Sequence, residues 1–287
     1  MPYLTIMTFV WAFSFSLIGV YLAGQVDAYF SVLIRVSLAA LVFLPFMRSV
    51  SLKIALKLMV LGGIQLGCMY VFYYQSFLLL TVPEVLIFTI LTPIYVTLIF
   101  DLMQGCFSHR YLLTAVLAVV GAFIIRYSNV GDNVLAGFFV VQGANICFAL
   151  GQVGYKLLIE REKLELSQRS VFGYFYLGAL IIASTAWAIF GNPEKLPATS
   201  LQWGILVYLG VIASGIGYFL WNKGATKVDT GVLAIMNNAL IPAGLIVNLL
   251  IWNRDADLVR LFIGGSIIAL SLILHEFWGK TKKLRFA

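Results

Sequence analysis

The chain has 287 residues, of which 62% are hydrophobic and only 11% are charged. A water-soluble domain of this size cannot present so apolar a surface to solvent, so the composition excludes a soluble fold and indicates an integral membrane protein. The formal net charge of +7 lies in short connections and a basic tail, where it indicates membrane topology and contact with anionic lipids, not nucleic-acid binding.

Apolar runs long enough to cross a bilayer account for nearly the whole chain. A hydrocarbon core of ~30 Å requires about 20 residues of helix. Such runs occur at 3–22, 28–46, 57–80, 83–101, 111–127, 134–156, 171–190, 203–221, 230–251 and 259–278. We therefore predict an all-α membrane protein with ten transmembrane helices.

The first run is predicted to be a retained helix and not a signal peptide, because no basic residue precedes it and no small-residue cleavage pattern follows it. Trp11 and Ser14 share one face of this helix near mid-depth, whereas tryptophan in membrane proteins is enriched at the two interfaces. Trp11 is therefore either a stacking surface for a ligand or a packing residue.

Arg35 is the most unusual residue of the second run. It follows the outer start of its helix by seven positions, which is roughly 10 Å at the rise of an α-helix. An unpaired charge at that depth costs ~2.5 to 3.5 kcal/mol. Arg35 therefore pairs with Glu84 of the fourth run, binds an anionic substrate group that matches its guanidinium fork, or extends outward to the interface.

Aromatic and polar residues are interspersed in the third and fourth runs. Tyr73 and Tyr74, together with nearby glutamines, predict an aromatic wall with amide groups in the third run. The fourth run contains Glu84, Pro93 and Asp101, and its two acids are the candidates for proton coupling. Because both acids lie near helix ends, facilitated diffusion and proton symport both remain open as driving mechanisms.

A stripe of amide side chains follows one face of the sixth run. Gln142, Asn145 and Gln152 fall on this face at helical spacing. An unpaired amide in hydrocarbon costs several kcal/mol. The stripe is therefore predicted to face either a cavity or another helix.

Two adjacent amides in the ninth run, Asn237 and Asn238, shortly precede Pro242. Proline has no backbone N–H, so the carbonyl one turn earlier, at Asn238, is predicted to lack its usual partner. The two amides either satisfy this backbone and the neighbouring helix or bind a polar substrate group.

The chain contains one unit twice. Residues 81–93 align with 230–242 without a gap, which places Pro93 and Pro242 at a spacing of 149 residues. Five helices in each copy is an odd number, so the second copy enters the membrane from the opposite face. Inverted repeats of this kind are recurrent in secondary transporters, which hold substrate near the midplane and alternate its access.

The two predicted repeats are 1–129 and 130–287, and the second ends in a basic tail. Of the 19 lysines and arginines, fourteen fall in the even-numbered connections and the tail, and four fall on the opposite side. Lysine and arginine accumulate in short cytoplasmic loops. Both termini are therefore predicted to be cytoplasmic.

An enzyme is not expected from these residues. The two histidines, His109 and His275, lie at predicted helix ends, and the sequence has no HExxH, GxSxG or glycine-rich phosphate motif. The three cysteines fit neither a disulfide framework nor a metal site. We predict no catalytic residue, no metal and no cofactor.

Several motifs resemble those of a known transporter family. They are WAFSFS at 11–16, QWGIL at 202–206, ASGIGY at 213–218 and GVLAIMNN at 231–238. In sequence and in order they resemble the EamA-type branch of the drug/metabolite transporter superfamily, and within it the YigM-type biotin importers of bacterial inner membranes. The resemblance implies a monomeric, multi-pass inner-membrane protein that imports biotin by alternating access without an ATP-binding partner. The alternatives are an exporter or importer of amino acids or other small metabolites on the same fold, and a sensor that does not cycle.

The polar and aromatic residues also match the chemistry of biotin, which has an apolar bicycle, a ureido group and a carboxylate. The expected substrate-binding residues are Trp11, Tyr73 and Tyr74 around the ring, Asn145, Asn237 and Asn238 at the ureido group, Arg35 at the carboxylate, and Ser14 and Gln152 beside them. The expected coupling or gating residues are Glu84, Asp101, Pro93 and Pro242.

Overall fold

The computed structural model describes residues 1–80, 84–85, 88–105, 107, 109–126, 134–162, 167–252 and 258–285. All regular structure in these ranges is helical. The predicted boundary between the repeats, at 129 and 130, lies outside the described residues. The helices are α1 Pro2–Leu22, α2 Ala28–Phe46, α3 Leu52–Leu79, α4 Thr89–Gln104, α5 His109–Arg126, α6 Val134–Glu162, α7 Gln168–Phe190, α8 Ser200–Ala225, α9 Thr230–Asn238, α10 Leu240–Trp252 and α11 Leu258–Arg285.

Six of the described helices are long and apolar enough to cross a membrane. They are α1, α2, α3, α7 and α8 together with Leu135–Glu162 of α6. The prediction of an all-helical, multi-pass membrane protein is thereby confirmed for the described part of the chain.

Several helices extend beyond the predicted apolar runs. Helix α3 begins at Leu52 where the apolar run begins at 57, and α6 continues to Glu162 where the run ends at 156. The added turns contain charged residues such as Lys53 and Arg161. Such ends reach the polar interface, so hydropathy alone detects only the part of each helix that lies in hydrocarbon.

Polar caps begin several helices. The side chain of Asp27 accepts the backbone N–H of Phe30 at 2.7 Å at the start of α2, and Thr199 with Gln202 forms a capping box at the start of α8. These oxygens satisfy N–H groups that have no partner within the helix. The caps explain why these helices begin directly after polar connections.

The predicted helices around the two prolines are both interrupted. A 3₁₀ turn, Thr89–Leu91, precedes Pro93, and Ala239 separates α9 from α10, which contains Pro242 in its first turn. Proline in the first helical turn sacrifices no backbone hydrogen bond. Pro93 therefore lies at the start of the α-helical part of α4, directly after the 3₁₀ turn, and Pro242 lies in the first turn of α10.

Three π-helical segments interrupt the long helices. They are Ile18–Leu22 in α1, Gly63–Cys68 in α3 and Leu209–Ile216 in α8. A π turn leaves a wider backbone ring and is frequent at functional sites. The segments of α3 and α8 contain the positions 65 and 214, which are separated by the repeat spacing of 149 residues.

Helices α3 and α7 approach so closely that their backbones touch. A Cβ atom added to Gly62 would lie 1.8 Å from the carbonyl oxygen of Phe175, and one added to Gly178 would lie 1.8 Å from that of Met59. Small residues allow such contacts between membrane helices. This crossing holds the middle of α3, with its π segment, against α7.

Candidate functional site

A cavity lies among α1, α2, α3, α4, α6, α8 and the α9–α10 break. Its lining residues are Trp11, Ser14, Phe15, Ile18, Arg35, Met69, Tyr70, Tyr73, Thr89, Thr92, Ala144, Asn145, Phe148, Tyr218, Asn237 and Leu240. Six of the nine predicted substrate-binding residues are among them: Trp11, Ser14, Arg35, Tyr73, Asn145 and Asn237.

The guanidinium of Arg35 is surrounded by hydroxyl groups. Its Nε donates to Ser214 Oγ at 3.1 Å, its Nη1 to the Tyr74 hydroxyl at 3.2 Å, and its Nη2 to the Tyr70 hydroxyl at 2.9 Å. The guanidinium carbon also lies 4.3 Å from the centre of the Tyr70 ring, which is a cation–π distance. The ion pairs of the described residues include none between Arg35 and Glu84.

Arg35 is only 3% exposed, and neutral hydroxyl groups solvate its charge without neutralising it. A buried charge without a counter-ion is costly in a membrane protein. An anionic group on a ligand would compensate this charge, and a carboxylate matches the guanidinium geometry. The cavity is therefore suited to an anionic ligand.

The sequence prediction missed two of the groups that hold Arg35. Tyr70 and Ser214 lie in α3 and α8, and their hydroxyl oxygens are 2.8 Å apart. Tyr70 belongs to the aromatic cluster that the sequence shows, but no sequence pattern connects Ser214 to Arg35. The π segment of α8 contains Ser214, and the backbone carbonyls of Ser214 and Gly215 accept the Tyr176 hydroxyl at 2.8 and 2.6 Å.

Four aromatic rings, which we call the aromatic layer, pack together at the cavity: Trp11, Phe148 and Tyr218 line it, and Trp221 packs against Trp11 and Phe148. The ring of Trp11 lies 4.8 Å from those of Tyr218 and Trp221 and 5.9 Å from that of Phe148, measured between ring centres. Its indole N–H donates to the carbonyl of Ala213 at 2.9 Å. This hydrogen bond fixes the orientation of the indole, so Trp11 both packs within the layer and presents a ring to the cavity.

Amide side chains replace backbone partners that are missing before Pro93. Asn145 Nδ2 donates to the carbonyl of Phe88 at 2.8 Å, and Asn238 Nδ2 donates to the carbonyl of Ile90 at 3.1 Å. The hydroxyl of Thr92 donates to the carbonyl of Thr89 at 2.7 Å. Three successive carbonyls of the interrupted stretch thus bind side-chain donors.

Asn238 contacts a neighbouring helix, which is one of the two alternatives that the sequence left open, and its contact with a substrate stays a prediction. Its amide nitrogen bonds the interrupted stretch of α4 and not the backbone beside Pro242. It is fully buried and lies behind the cavity wall. The hydrogen bond from Asn238 to Ile90 thus connects the helix break beside Pro242 to the helix break beside Pro93.

Gln152 and Asn237 connect the aromatic layer to the cavity wall. The Trp221 indole donates to Gln152 Oε1 at 2.9 Å, and Gln152 Nε2 donates to Asn237 Oδ1 at 3.3 Å. Asn237 Nδ2 donates to the carbonyl of Leu233 at 2.7 Å. Gln152 is fully buried and, like Tyr74, lies behind the residues that line the cavity.

The predicted coupling or gating residues lie outside the cavity lining. Asp101 is buried near the end of α4, and Glu84 is half-buried in the short described stretch before α4. Pro93 follows the 3₁₀ turn of α4, Pro242 lies in the first turn of α10, and neither proline lines the cavity.

A helical bundle that crosses a membrane around a cavity with a buried guanidinium and aromatic walls defines a multi-pass carrier of small molecules. The family model of the EamA-like transporter family matches residues 135–276, and the chain belongs to this family. It is a multi-pass protein of the bacterial inner membrane.

Relatives of known name match almost the whole chain. A "Probable biotin transporter" of Pseudomonas aeruginosa is 54% identical over 278 residues, which cover 96% of this chain and 97% of the relative. A "Biotin transporter" of Escherichia coli (strain K12) is 52% identical over 281 residues, which cover 97% and 93%. A solved crystal structure with 14% identity superposes with a TM-score of 0.76 over 97% of this chain and 98% of that chain, which shows the shared fold.

Proposed function

We propose that this protein is a secondary transporter that imports biotin across the bacterial inner membrane. The observation that carries the proposal is the buried, hydroxyl-bound Arg35 in the wall of an aromatic cavity. Biotin is an apolar bicycle with a carboxylate that is ionised at neutral pH. Its carboxylate therefore matches the guanidinium of Arg35, and its bicycle matches the aromatic walls of the cavity. The names of relatives that are 54% and 52% identical over almost the whole of this chain support the same substrate.

In the proposed complex, the carboxylate of biotin binds Arg35, and the bicycle lies against Trp11 and Phe148. Both described donor bonds of Asn145 go to Phe88 and Gln142, so its Oδ1 is the atom available to accept a ureido N–H. The Tyr73 hydroxyl is buried in the cavity wall without a hydrogen-bond partner among the described residues. It is placed to donate to the ureido oxygen.

The proposed topology has ten crossings in two inverted repeats, 1–129 and 130–287, with α9 and α10 forming one interrupted crossing. Helix packing supports this arrangement: α1 packs against α8 and α10, and its repeat counterpart α6 packs against α3 and α4. The π segments in α3 and α8 also occur at corresponding positions. The lysine and arginine distribution puts both termini in the cytoplasm, where the tail contacts anionic lipids, and the transporter acts as a monomer.

The proposed mechanism is alternating access. With the termini in the cytoplasm, the aromatic layer lies on the cytoplasmic side of the ligand cavity. Nearer the cytoplasm, an ion pair between Lys57 and Glu162 joins α3 to α6, and Arg161 donates to Gln104 Oε1 at 2.7 Å. These contacts close the inner side and must separate when the two halves tilt to release biotin.

Arg35→Ala tests the carboxylate assignment in full-length protein reconstituted in proteoliposomes. Hydrogen bonds to charged groups contribute about 1.5 to 3 kcal/mol, so the variant should bind biotin roughly 10- to 100-fold more weakly. Biotin methyl ester, which has no carboxylate charge, should bind the variant and the wild type alike. Arg48→Ala, the same change at an exposed residue near the end of α2, should leave both affinities unchanged.

Equal transport of biotin and its methyl ester by wild type and Arg35→Ala would refute the carboxylate assignment. Labelled biotin uptake in cells that can neither make nor otherwise import biotin tests the function itself. Competition by amino acids in place of biotin would favour the exporter or metabolite-carrier alternative. Counterflow with and without a pH gradient distinguishes proton symport, in which Glu84 or Asp101 titrates, from facilitated diffusion.

A further inference from the structure

Gln65 is a polar residue in the protein interior that the proposed ligand site does not use. It lies in the π segment Gly63–Cys68 of α3 and is 0% exposed. Neither its Nε2 nor its Oε1 has a hydrogen-bond partner within the described part of the chain. A buried amide without partners is destabilising in any protein interior, and more so at membrane depth.

The neighbouring helix leaves space for this amide. A Cβ atom added to Gly151 of α6 would lie 2.0 Å from Cβ and 2.8 Å from Oε1 of Gln65. Any larger residue at position 151 would therefore displace the glutamine. The next residue along α6 is Gln152, which binds both the aromatic layer and the cavity wall.

The repeat relates Gln65 to a residue of the ligand site. The spacing of 149 residues aligns Gln65 with Ser214, and each lies in the π segment of its helix. Ser214 accepts from Arg35 in the present conformation. In a carrier with inverted repeats, the two halves exchange conformations during transport. The π segment of α3 is then expected to reach the substrate when the protein opens to the other side.

An open groove on the surface of α3, α4 and α6 begins beyond Gln65. Leu61, Gly154, Leu157 and Leu158 are among its lining residues, together with the exposed side chains of Leu56 and Val60. Leu61 is one helical turn from Gln65 along α3, and Gly154 is one turn from Gly151 along α6. Gln65 thus lies along α3 between the ligand cavity and this groove, which is nearer the proposed cytoplasmic side.

We propose that Gln65 is a second substrate-binding residue, which hydrogen-bonds the ureido group of the substrate in the conformation that opens to the cytoplasm. A primary amide has one acceptor and two donors, so it pairs with a cyclic urea through complementary N–H and C=O groups. The same chemistry accepts other cyclic ureas and amides. This inference rests on the proposed function, because it takes the substrate to be a ureido compound.

The variant Gln65→Leu of the full-length protein tests this proposal, because binding and transport can be measured separately. Biotin binding at equilibrium, measured by quenching of tryptophan fluorescence, should keep its Kd within about twofold, because the outward cavity is intact. Uptake into proteoliposomes should slow by about tenfold or more, since one buried hydrogen-bonded pair is worth about 1 to 3 kcal/mol. Gln75→Leu, the same change two and a half turns further along α3 and outside the cavity lining, should leave both Kd and rate unchanged.

A wild-type uptake rate in Gln65→Leu would overturn the proposal. The buried amide of Gln65 would then bind an ordered water and not the substrate. An affinity loss equal to the rate loss would also overturn it, because the residue would then act in the outward cavity. If Gln65→Leu does not fold, Gln65→Met, which keeps the chain length, replaces it with the same expectations. Absence of biotin binding and uptake by the wild type would refute the proposed function itself, whatever the variants do.

Discussion

Tyr70 connects the guanidinium of Arg35 to the hydroxyl of Ser214 through one oxygen atom. Tyr70→Phe removes both hydrogen bonds and keeps the ring beside the guanidinium. With roughly 1 kcal/mol for each of the two lost bonds, we expect the Kd for biotin to rise about 30-fold. The matched control is Tyr174→Phe, which removes a hydroxyl that bonds the carbonyl of Arg48 at an exposed site. Equal affinities in the two variants would contradict the role assigned to Tyr70.

Single unusual residues were readily predicted from the sequence, but their partners were not. Arg35 and Trp11 are conspicuous because charge is rare inside the membrane and tryptophan is rare at mid-depth. Their partners, Ser214 and the carbonyl of Ala213, lie in a helix far away in sequence. Every residue has a backbone carbonyl, so the sequence does not show which carbonyls lack a partner. An amide side chain that binds such a carbonyl therefore cannot be distinguished, from sequence alone, from one that binds a ligand. This is why the sequence left two alternatives for Asn238, of which the structure shows the contact with Ile90 of a neighbouring helix.

Among the helices, the crossing of α3 and α7 depends on the absence of a side chain at Gly178. Gly178→Ala places a methyl group 1.8 Å from the carbonyl oxygen of Met59, so the helices must separate. We expect a loss of about 1 to 3 kcal/mol or more from such overpacking and a clearly lower Tm in detergent. Gly204→Ala, with no atom within 4 Å of the added carbon, should be neutral or stabilising, because alanine favours the helix by roughly 0.5 to 1 kcal/mol. If Gly178→Ala had the Tm of the wild type, α3 and α7 could move apart without loss of stability, and the close contact at Gly178 would not stabilise the fold.

The 3₁₀ turn at the start of α4, which contains Ile90, depends on a hydrogen bond from Asn238. Asn238→Leu keeps the number and branching of the heavy side-chain atoms and leaves the carbonyl of Ile90 without its donor. A buried carbonyl left unpaired costs about 1 to 3 kcal/mol, so thermal unfolding should occur at a lower temperature. Asn192→Ala, which removes an acceptor from a loop, should change Tm much less. If Asn238→Leu unfolded at the same temperature as the wild type, water would have to replace the amide at Ile90.

At the same scale, hydropathy predicted where helices occur and not how they are wound. An apolar run is compatible with α-helical or π-helical hydrogen bonding, because both bury the same side chains. The π segments of α3 and α8 therefore left no trace in composition. Pro93 and Pro242 did mark the positions of breaks. Which side chains would satisfy the exposed carbonyls depends on helices from the other half of the chain, so it became visible only in the packed structure.

Across the whole molecule, the proposed repeats have similar backbones but different polar side chains. Both halves have a proline break and a π segment at positions related by the spacing of 149 residues. The charged group is not repeated: Arg35 has no charged counterpart in α7, where this spacing reaches Ser184. In the proposed complex, a bound anion would therefore lie at one wall of the cavity with its opposite end toward α6 and α9, and this asymmetry would give the ligand a single orientation.

The proposed topology makes a prediction for the intact cell. Five crossings, α3 to α7, separate the connection at Ser49 from the connection at Glu194, and both residues are exposed. Because five is odd and the basic residues cluster on the side of Ser49, Ser49 should be cytoplasmic and Glu194 external. In full-length protein with its native cysteines replaced, a membrane-impermeant maleimide should label Glu194→Cys in intact cells, and Ser49→Cys only after permeabilisation. The reverse pattern would invert the orientation and put the aromatic layer on the outer side of the cavity. Labelling of both positions in intact cells would require an even number of crossings between them, which is incompatible with an inverted five-helix repeat.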